Sequence, residues 1–175
     1  NILKSIEFAK TSGKRFPLEY TLNVAEKIKN KLNKLKEVNK IEIAGSLRRK
    51  KETIGDIDIL ITSKNPKKVM DLFTTMDNVQ QVLAKGPTKS MVRLKEGLEA
   101  DLRVIDEKSY GAALLYFTGS KQHNITLRKI AIKKGMKLSE YGLFDKKTNK
   151  MLAGKTEQEC YKKLGLIYIE PKMRE

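Results

Sequence analysis

The chain has 175 residues, with 37 Lys or Arg against 21 Asp or Glu, a net charge of +16 and a pI near 9.8. Its 39% of hydrophobic residues can build a core, and no apolar run approaches the roughly 18 residues of a membrane span. The single cysteine, Cys160, excludes a disulfide framework and a cysteine-based metal site. We expect a protein without a signal peptide, from a reducing, cytoplasmic compartment.

The positive charge is concentrated in the two flanks of the chain. Residues 1–50 hold 13 basic and 5 acidic residues (+8), and residues 108–175 hold 15 and 6 (+9). Residues 51–107 hold 9 and 10, a charge of −1. This distribution favours a polyanion held on both sides of a carboxylate-bearing centre. A lysine-rich surface that serves solubility or thermal tolerance explains the charge equally well.

The first predicted element is an amphipathic helix over residues 18–38, near Pro17. Its apolar residues recur at intervals of three and four: Leu22, Ala25, Ile28, Leu32 and Leu35. Alternation and isoleucine content predict strands next, around a helix at 66–76. These strands are expected at 40–44, 56–62, 79–85, 90–95 and 98–105.

The pattern changes after Lys108. Helices are predicted at 109–117, 121–134 and 156–164, with a short strand or hairpin over 137–152. The expected fold class is α+β: a mixed β-sheet flanked by helices up to about residue 107, then a smaller, mostly helical α+β lobe.

Asp56 and Asp58 are the first candidate functional residues. They are two apart on a predicted strand, so their side chains emerge on one face. The core face of that strand is formed by Ile57, Ile59 and Ile61. An Asp-x-Asp pair on a solvated strand also arises by chance, and the pair alone favours that interpretation.

Asp101 lies on a later predicted strand, with Leu102 and Val104 facing the core. If this strand neighbours the one that carries Asp56 and Asp58, three carboxylates meet at one edge of the sheet. Carboxylates without His or Cys nearby are hard oxygen ligands, suited to Mg²⁺ and unsuited to zinc. Two such ions about 3.5–4 Å apart are a common device for in-line phosphoryl transfer.

A candidate phosphate-binding turn precedes the aspartate pair. Gly45 and Ser46 follow a predicted strand and would offer backbone N–H groups and a hydroxyl to an anion. Arg48 and Arg49 add bidentate donors, and Gly55 allows a close backbone approach. A phosphate-binding turn, then Asp-x-Asp, then a third Asp on a later strand is typical of a nucleotidyltransferase.

A family resemblance is carried by four segments in chain order: GSLRRKKETIGDIDIL (45–60), LEADLRVI (98–105), YFTGSKQHN (116–124) and LSEYGLF (138–144). With the ending LGLIYIEPKMRE, they resemble the family X DNA polymerases, in particular the bacterial and archaeal branch. The resemblance covers the chain from Arg15 onward. It implies a repair-type enzyme that adds a dNMP to a primer 3′-OH on a DNA template, using two Mg²⁺ ions, with Mn²⁺ as a substitute.

The resemblance also implies a role for each part of the chain and for each of the three aspartates. Residues 1–16 would be a leading helix and linker, residues 17–107 the palm, and residues 108–175 the lobe that closes over the nucleotide. In the palm, Asp56 and Asp58 would each bind both metals. The third carboxylate, of Asp101, would bind only the catalytic metal and accept the 3′-OH proton.

Nucleotide and DNA contacts follow from the same resemblance. The nucleotide would be contacted by Arg15, Gly45, Ser46, Arg49, Gly55, Tyr116, Phe117, Gly119, Ser120, Lys121 and Asn124. Tyr116 would crowd the sugar 2′ position, and the family's Gly-Ser bond, here between Gly119 and Ser120, is typically cis. Arg103 and Arg128 would contact DNA. Lys121 is a departure, because the vertebrate repair enzyme has an acid there.

Other interpretations stay open at this point. A template-independent or RNA-tailing transferase could share the palm, and a truncated core could bind DNA without efficient catalysis. We expect a monomer with no membrane contact, associated with the nucleoid if the source is prokaryotic. His123 is expected on the surface or facing DNA, and Cys160 is expected to be an unreactive helix residue.

Overall fold

The computed structural model describes residues 2–3 and 15–175, and the chain divides into two compact units between Val104 and Ile105. Most of the predicted leading segment, residues 1–16, lies outside the described residues. Among the residues that are described, no helix has the length and apolar character needed to cross a membrane.

The first unit is a mixed sheet with helices on one face. Its elements are β1 (Phe16–Pro17), α1 (Leu18–Asn33), β2 (Val38–Ala44), α2 (Gly45–Arg48), β3 (Thr53–Ile54), β4 (Asp56–Ser63), α3 (Pro66–Thr74), β5 (Val79–Lys85), β6 (Lys89–Leu94) and β7 (Glu99–Val104). Five strands form a sheet in the order β2-β4-β7-β6-β5, and β1 pairs with β3. Only the β4–β7 pair of the large sheet is parallel.

The core of this unit lies between the sheet and helices α1 and α3. Alternate residues of β4 are fully buried there, as predicted: Ile57, Ile59 and Ile61. The start of α3 follows from its sequence, because Pro66 occupies the first turn and the Asn65 side chain accepts from the Lys68 backbone N–H at 3.2 Å. The opposite face of the sheet carries Asp56 and Asp58, together with the fully buried Leu60.

The buried stripe of α1 differs from the prediction. Leu22 is 37% exposed, whereas Thr21 is fully buried. The Thr21 hydroxyl donates to the Pro17 carbonyl oxygen at 2.9 Å, which satisfies this polar group inside the helix. The helix also ends at Asn33, because the chain enters β2 at Val38.

The second unit combines a small sheet with helices. Its elements are a 3₁₀ turn (Glu107–Ser109), α4 (Tyr110–Thr118), α5 (Lys121–Lys133), β8 (Met136–Ser139), β9 (Gly142–Asp145), β10 (Met151–Ala153), α6 (Glu157–Lys163) and a second 3₁₀ turn (Pro171–Met173). The predicted hairpin over 137–152 is instead a three-stranded antiparallel sheet in the order β10-β9-β8.

A buried polar network ties the end of the chain to α6. Arg174 is fully buried, and its guanidinium lies 2.6 Å from the Glu157 carboxylate and over the rings of Tyr161 and Tyr168. The Tyr161 hydroxyl is hydrogen-bonded to Nε2 of His123 at 2.8 Å. The predicted surface position of His123 is therefore wrong, because a partner 38 residues away satisfies its ring inside the unit.

Cys160 lies in α6 and is fully buried, as expected for an unreactive helix residue. Burial raises the pKa of its thiol to about 12. The thiolate is the reactive form, so this cysteine stays protonated at neutral pH.

Candidate active site

The three predicted carboxylates lie on neighbouring strands of the large sheet. Asp56 and Asp58 are on β4 and Asp101 is on β7, with Asp58 opposite Asp101 in the parallel register. The residues that alternate with them, Ile57 and Leu102, are fully buried on the helix-covered face. The three aspartates therefore share the other face.

Burial and the charges of neighbouring carboxylates disfavour the ionised forms of Asp58 and Asp101. The pKa of Asp58 is raised to about 6, first by burial and then by the charges of Asp56 and Asp101, against the opposing effect of Arg103. Burial also raises the pKa of Asp101, which is 8% exposed, again against Arg103. Half-buried carboxylates that repel one another are stabilised by a cation placed among them.

Arg103 supplies positive charge at this site. One of its terminal nitrogens lies 3.5 Å from Oδ1 of Asp58, and the other lies 3.9 Å from Oδ2 of Asp101. The guanidinium therefore bridges the two paired aspartates. Its predicted contact with DNA stays a prediction, and its role beside the carboxylates was not foreseen from the sequence.

The donor chemistry of the site suits Mg²⁺. Its carboxylate oxygens are hard ligands, with no thiolate or imidazole to favour zinc. Within residues 2–3 and 15–175, no set of three or more His, Cys, Asp or Glu side chains is already arranged to hold a metal ion.

Gly45 packs directly against the aspartates. It begins α2 with φ of +68°, and a Cβ at this position would lie 2.7 Å from Oδ2 of Asp58. Ser46 and Arg49 follow, both half-buried, within and just after the same short helix. The predicted phosphate-binding turn therefore abuts the carboxylate face.

Gly45→Ala is expected to lower both stability and the activity proposed below. The positive φ alone costs about 1–2 kcal/mol for an L-residue, and the methyl group would also displace Asp58. Gly135→Ala is the matched control, because Gly135 has φ of +74° and nothing within 4 Å of the added Cβ. Thermal melts of both variants measure the shared backbone strain, and a nucleotide-addition assay isolates the displacement of Asp58. Equal activity in the two variants would contradict the assigned contact.

Arg15 is held beside the strand that leads into Asp56. Its Nε donates to the Thr53 hydroxyl at 2.9 Å and a terminal nitrogen donates to the Thr53 carbonyl oxygen at 2.7 Å. A Cβ on Gly55 would lie 3.3 Å from the guanidinium. Arg15, which precedes Thr53 by 38 residues in sequence, therefore lies next to Gly55, the residue before Asp56.

The second unit gathers a separate group of predicted residues. Tyr116, Asn124 and Arg128 line one small cavity, together with Leu138 and Ser139. The Asn124 side-chain amide donates to the Tyr116 carbonyl oxygen at 2.8 Å. Leu138 and Ser139 belong to the segment 138–144 that carries part of the family resemblance, but neither was predicted as a site residue.

The junction between α4 and α5 holds the remaining predicted residues. The Gly119–Ser120 peptide bond is cis, as the resemblance implies. The Ser120 hydroxyl accepts from the His123 backbone N–H at 3.2 Å and caps α5, whose first residue, Lys121, is exposed. Phe117 packs edge-to-face on the neighbouring Tyr116 ring, with centroids 4.9 Å apart.

A fourth carboxylate on the aspartate face was not predicted. Glu99 lies opposite Asp56 in the β4–β7 register, and its Oε2 is 3.9 Å from a terminal nitrogen of Arg93. The period of two along β7 places Glu99 on the same face as Asp101, and this spacing was visible in the sequence.

Known proteins match the chain in both units. Residues 15–134 match the DNA polymerase beta palm family and residues 113–175 match the DNA polymerase beta thumb family. The DNA polymerase/3′-5′ exonuclease PolX of Bacillus subtilis is 36% identical over 99% of the chain, which spans 31% of that protein. Repair DNA polymerase X of African swine fever virus (isolate Tick/South Africa/Pretoriuskop Pr4/1996) is 33% identical, with 93% of the chain and 96% of the viral protein covered.

A solved structure has the same fold. The crystal structure of Leishmania infantum polymerase beta, described as a ternary P/T complex, aligns with a TM-score of 0.78 and 25% identity over 93% of the chain and 77% of its own length. The palm match alone covers more than half of the sequence, and the viral and bacterial relatives exceed 30% identity over nearly all of it. The chain therefore belongs to the family X DNA polymerases.

Proposed function

We propose that this chain is the catalytic core of a DNA-templated DNA polymerase that adds single deoxynucleotides to a primer 3′-OH during short-gap repair. The observation that carries the proposal is the register of Asp58 opposite Asp101, with Asp56 on the same face and Gly45 packed against them. The viral repair polymerase supports it, because the chain covers nearly all of that protein. The ternary P/T complex of the Leishmania enzyme supports DNA as the partner.

In this proposal, Asp56, Asp58 and Asp101 hold two divalent ions, Mg²⁺ by preference and Mn²⁺ as a substitute. Such ions, when bound, would supply the Lewis acidity that activates the primer 3′-OH and stabilises the leaving pyrophosphate. The Asp101 carboxylate, whose pKa is raised by burial, accepts the proton from the 3′-oxygen. Arg103 keeps Asp58 and Asp101 side by side by offsetting their repulsion.

The triphosphate would bind at the turn that precedes the carboxylates. Backbone N–H groups from Gly45 onward and the Ser46 hydroxyl supply donors, while Arg49 and Arg15 supply charge. Gly55 leaves room for the Arg15 guanidinium, which a larger side chain would crowd. These contacts orient the leaving group, which is the main task of the protein in phosphoryl transfer.

We assign contacts with the sugar, the base and the template to the second unit. Tyr116 would limit the space at the sugar 2′ position, next to Phe117 and the Gly119–Ser120 bond. The Asn124 amide, already bonded to the Tyr116 carbonyl, would reach the minor-groove edge of the incoming base. Arg128, one turn further along α5, would contact the template strand, and Lys121 would add charge near the triphosphate.

The decisive experiment is single-nucleotide extension of a one-nucleotide gapped duplex with Mg²⁺ and each dNTP in turn. The proposal expects only the complementary nucleotide to be added. Addition of every nucleotide regardless of the template base would identify a template-independent transferase instead. Tight DNA binding without incorporation under Mg²⁺ or Mn²⁺ would identify a core that needs further domains. We also propose that the chain acts as a monomer, in the compartment that contains the DNA. Sedimentation of the DNA complex measures the number of chains bound.

Tyr116→Ala is expected to raise the use of ribonucleotides relative to deoxynucleotides by about tenfold or more, because one excluded contact is worth about 1–3 kcal/mol. The measurement is the ratio of kcat/KM for the complementary rNTP and dNTP. Tyr141→Ala is the control, since Tyr141 is 66% exposed in the same unit. An unchanged sugar preference in Tyr116→Ala would remove its assignment as the gate.

A further inference from the structure

A basic cleft lies along α1 in the first unit. It encloses about 290 Å³, and its polar lining consists of Lys27, Asn30, Lys31, Lys34, Asn78 and Glu96. We call it the α1 lysine cleft. The Asn78 side-chain amide donates to Oε2 of Glu96 at 3.3 Å, so these two lining side chains are held together.

The three lysines present their charge along one flank of the helix. Lys27, Lys31 and Lys34 are spaced by four and three residues, so their ammonium groups neighbour one another. All three are exposed, and none forms an ion pair with any residue in the described stretch 15–175. Lys29, on the same helix, differs because its Nζ lies 3.5 Å from Oε1 of Glu42. Among the described residues that line the cleft, three are lysines and one, Glu96, is acidic, so positive charge dominates there.

The cleft does not belong to the carboxylate site. Helix α1 packs on the sheet face that carries Ile57 and Ile59, whereas Asp56 and Asp58 point to the opposite face. DNA whose primer end lies at the carboxylates is therefore separated from the α1 lysine cleft by the thickness of the sheet. The basic charge of residues 1–50 is only partly explained by contacts at the active face.

The chemistry of the cleft favours a phosphate backbone as its occupant. Lysines bind phosphates as flexible point charges without reading sequence. Protein interfaces usually have an apolar or aromatic centre, but the apolar residue that lines this cleft, Ile28, is 1% exposed. Favourable interaction with the negative end of the helix dipole explains the presence of Lys31 and Lys34 near the C-terminus of α1. It does not explain Lys27, which lies outside the last turn.

We propose that the α1 lysine cleft binds the phosphate backbone of a second DNA segment, apart from the segment whose primer end is extended. The proposal rests on the proposed function only for the choice of DNA as the polyanion. Such a surface holds the chain on continuous DNA between additions, because it needs no primer end, no nucleotide and no metal.

The test compares two triple variants with the same loss of charge. Lys27, Lys31 and Lys34 are changed to Gln in one, and Lys67, Lys68 and Lys85 are changed to Gln in the control. The control lysines belong to the same unit but are already paired, with Asp71 or Glu37. The probe is a covalently closed circular duplex in EDTA, titrated over a range of NaCl concentrations. Thermal melts establish that both variants are folded.

The cleft variant is expected to bind the closed circle on the order of tenfold more weakly, with the slope of log K against log[salt] reduced by about 2–3. The control should change by less than threefold. Equal weakening of both variants would mean that net charge alone binds DNA, and would overturn the proposal. Poly-glutamate serves as a second probe. If the cleft variant loses binding to poly-glutamate while its binding to the circle is unchanged, the proposal is overturned in favour of an acidic protein partner.

The gapped-duplex extension by the wild-type chain separates this proposal from the proposed function. Absent extension together with cleft-dependent binding of the circle would refute the polymerase assignment and leave the second DNA surface standing. Templated extension by the wild type, together with unchanged binding of the circle by the cleft variant, would support the polymerase assignment and refute the second DNA surface.

Discussion

Asp101→Ala is expected to reduce single-nucleotide incorporation on the order of a thousandfold, about 4 kcal/mol in activation free energy, while the chain stays folded. The variant removes the carboxylate that we propose binds a metal ion and accepts the 3′-OH proton. Stability should change little, because burial already disfavours the charged form of Asp101 and because its loss relieves repulsion on Asp58. DNA affinity should equal or exceed that of the wild type, since one anion near the phosphates is gone.

Glu99→Ala is the matched control for this prediction. Glu99 is a carboxylate on the same strand and the same face, two residues from Asp101, and it is assigned no metal. We expect its incorporation rate to stay within a few-fold of the wild type. Gap filling under saturating dNTP and Mg²⁺ measures both variants. Equal losses in the two would show that the charge of the face matters and that metal ligation by Asp101 does not.

The local features of this fold were predictable from the sequence because short-range periodicity determines them. The period of two in residues 56–62 separates Asp56 and Asp58 from the buried isoleucines, and this separation is confirmed. The parallel pairing of β4 with β7 could not be predicted and was only assumed as a possibility, because more than 30 residues intervene between the two strands. Tertiary packing decides it.

The errors arise where a distant partner changes the environment of a polar residue. His123 was expected on the surface or facing DNA, but Tyr161 supplies a hydrogen bond from 38 residues away. Thr21 is buried where Leu22 was expected to be. Its hydroxyl is hydrogen-bonded within its own helix, so its burial leaves no polar group unsatisfied. The position of Arg103 beside two aspartates could not be predicted for another reason, because it depends on the register of neighbouring strands.

Arg174→Met is expected to lower the free energy of unfolding of the second unit by about 3–5 kcal/mol, the usual effect of removing one partner of a buried ion pair. The guanidinium is fully buried, donates to the Ile169 carbonyl oxygen at 2.8 Å and contacts Glu157 at 2.6 Å. Without it, the Glu157 carboxylate loses this short contact, while the Tyr168 hydroxyl at 3.4 Å remains. Chemical denaturation followed by tyrosine fluorescence measures the loss.

Two further variants separate the ion pair from simple loss of charge near the end of the chain. Lys172→Met removes an exposed cation two residues away and should change stability by less than about 0.5 kcal/mol. The double variant Arg174→Met with Glu157→Leu should recover most of the loss, because apolar residues of similar volume can replace a buried ion pair with little net change. If the double variant is as unstable as Arg174→Met alone, the ring contacts of Arg174 with Tyr161 and Tyr168 stabilise the unit, and the ion pair does not.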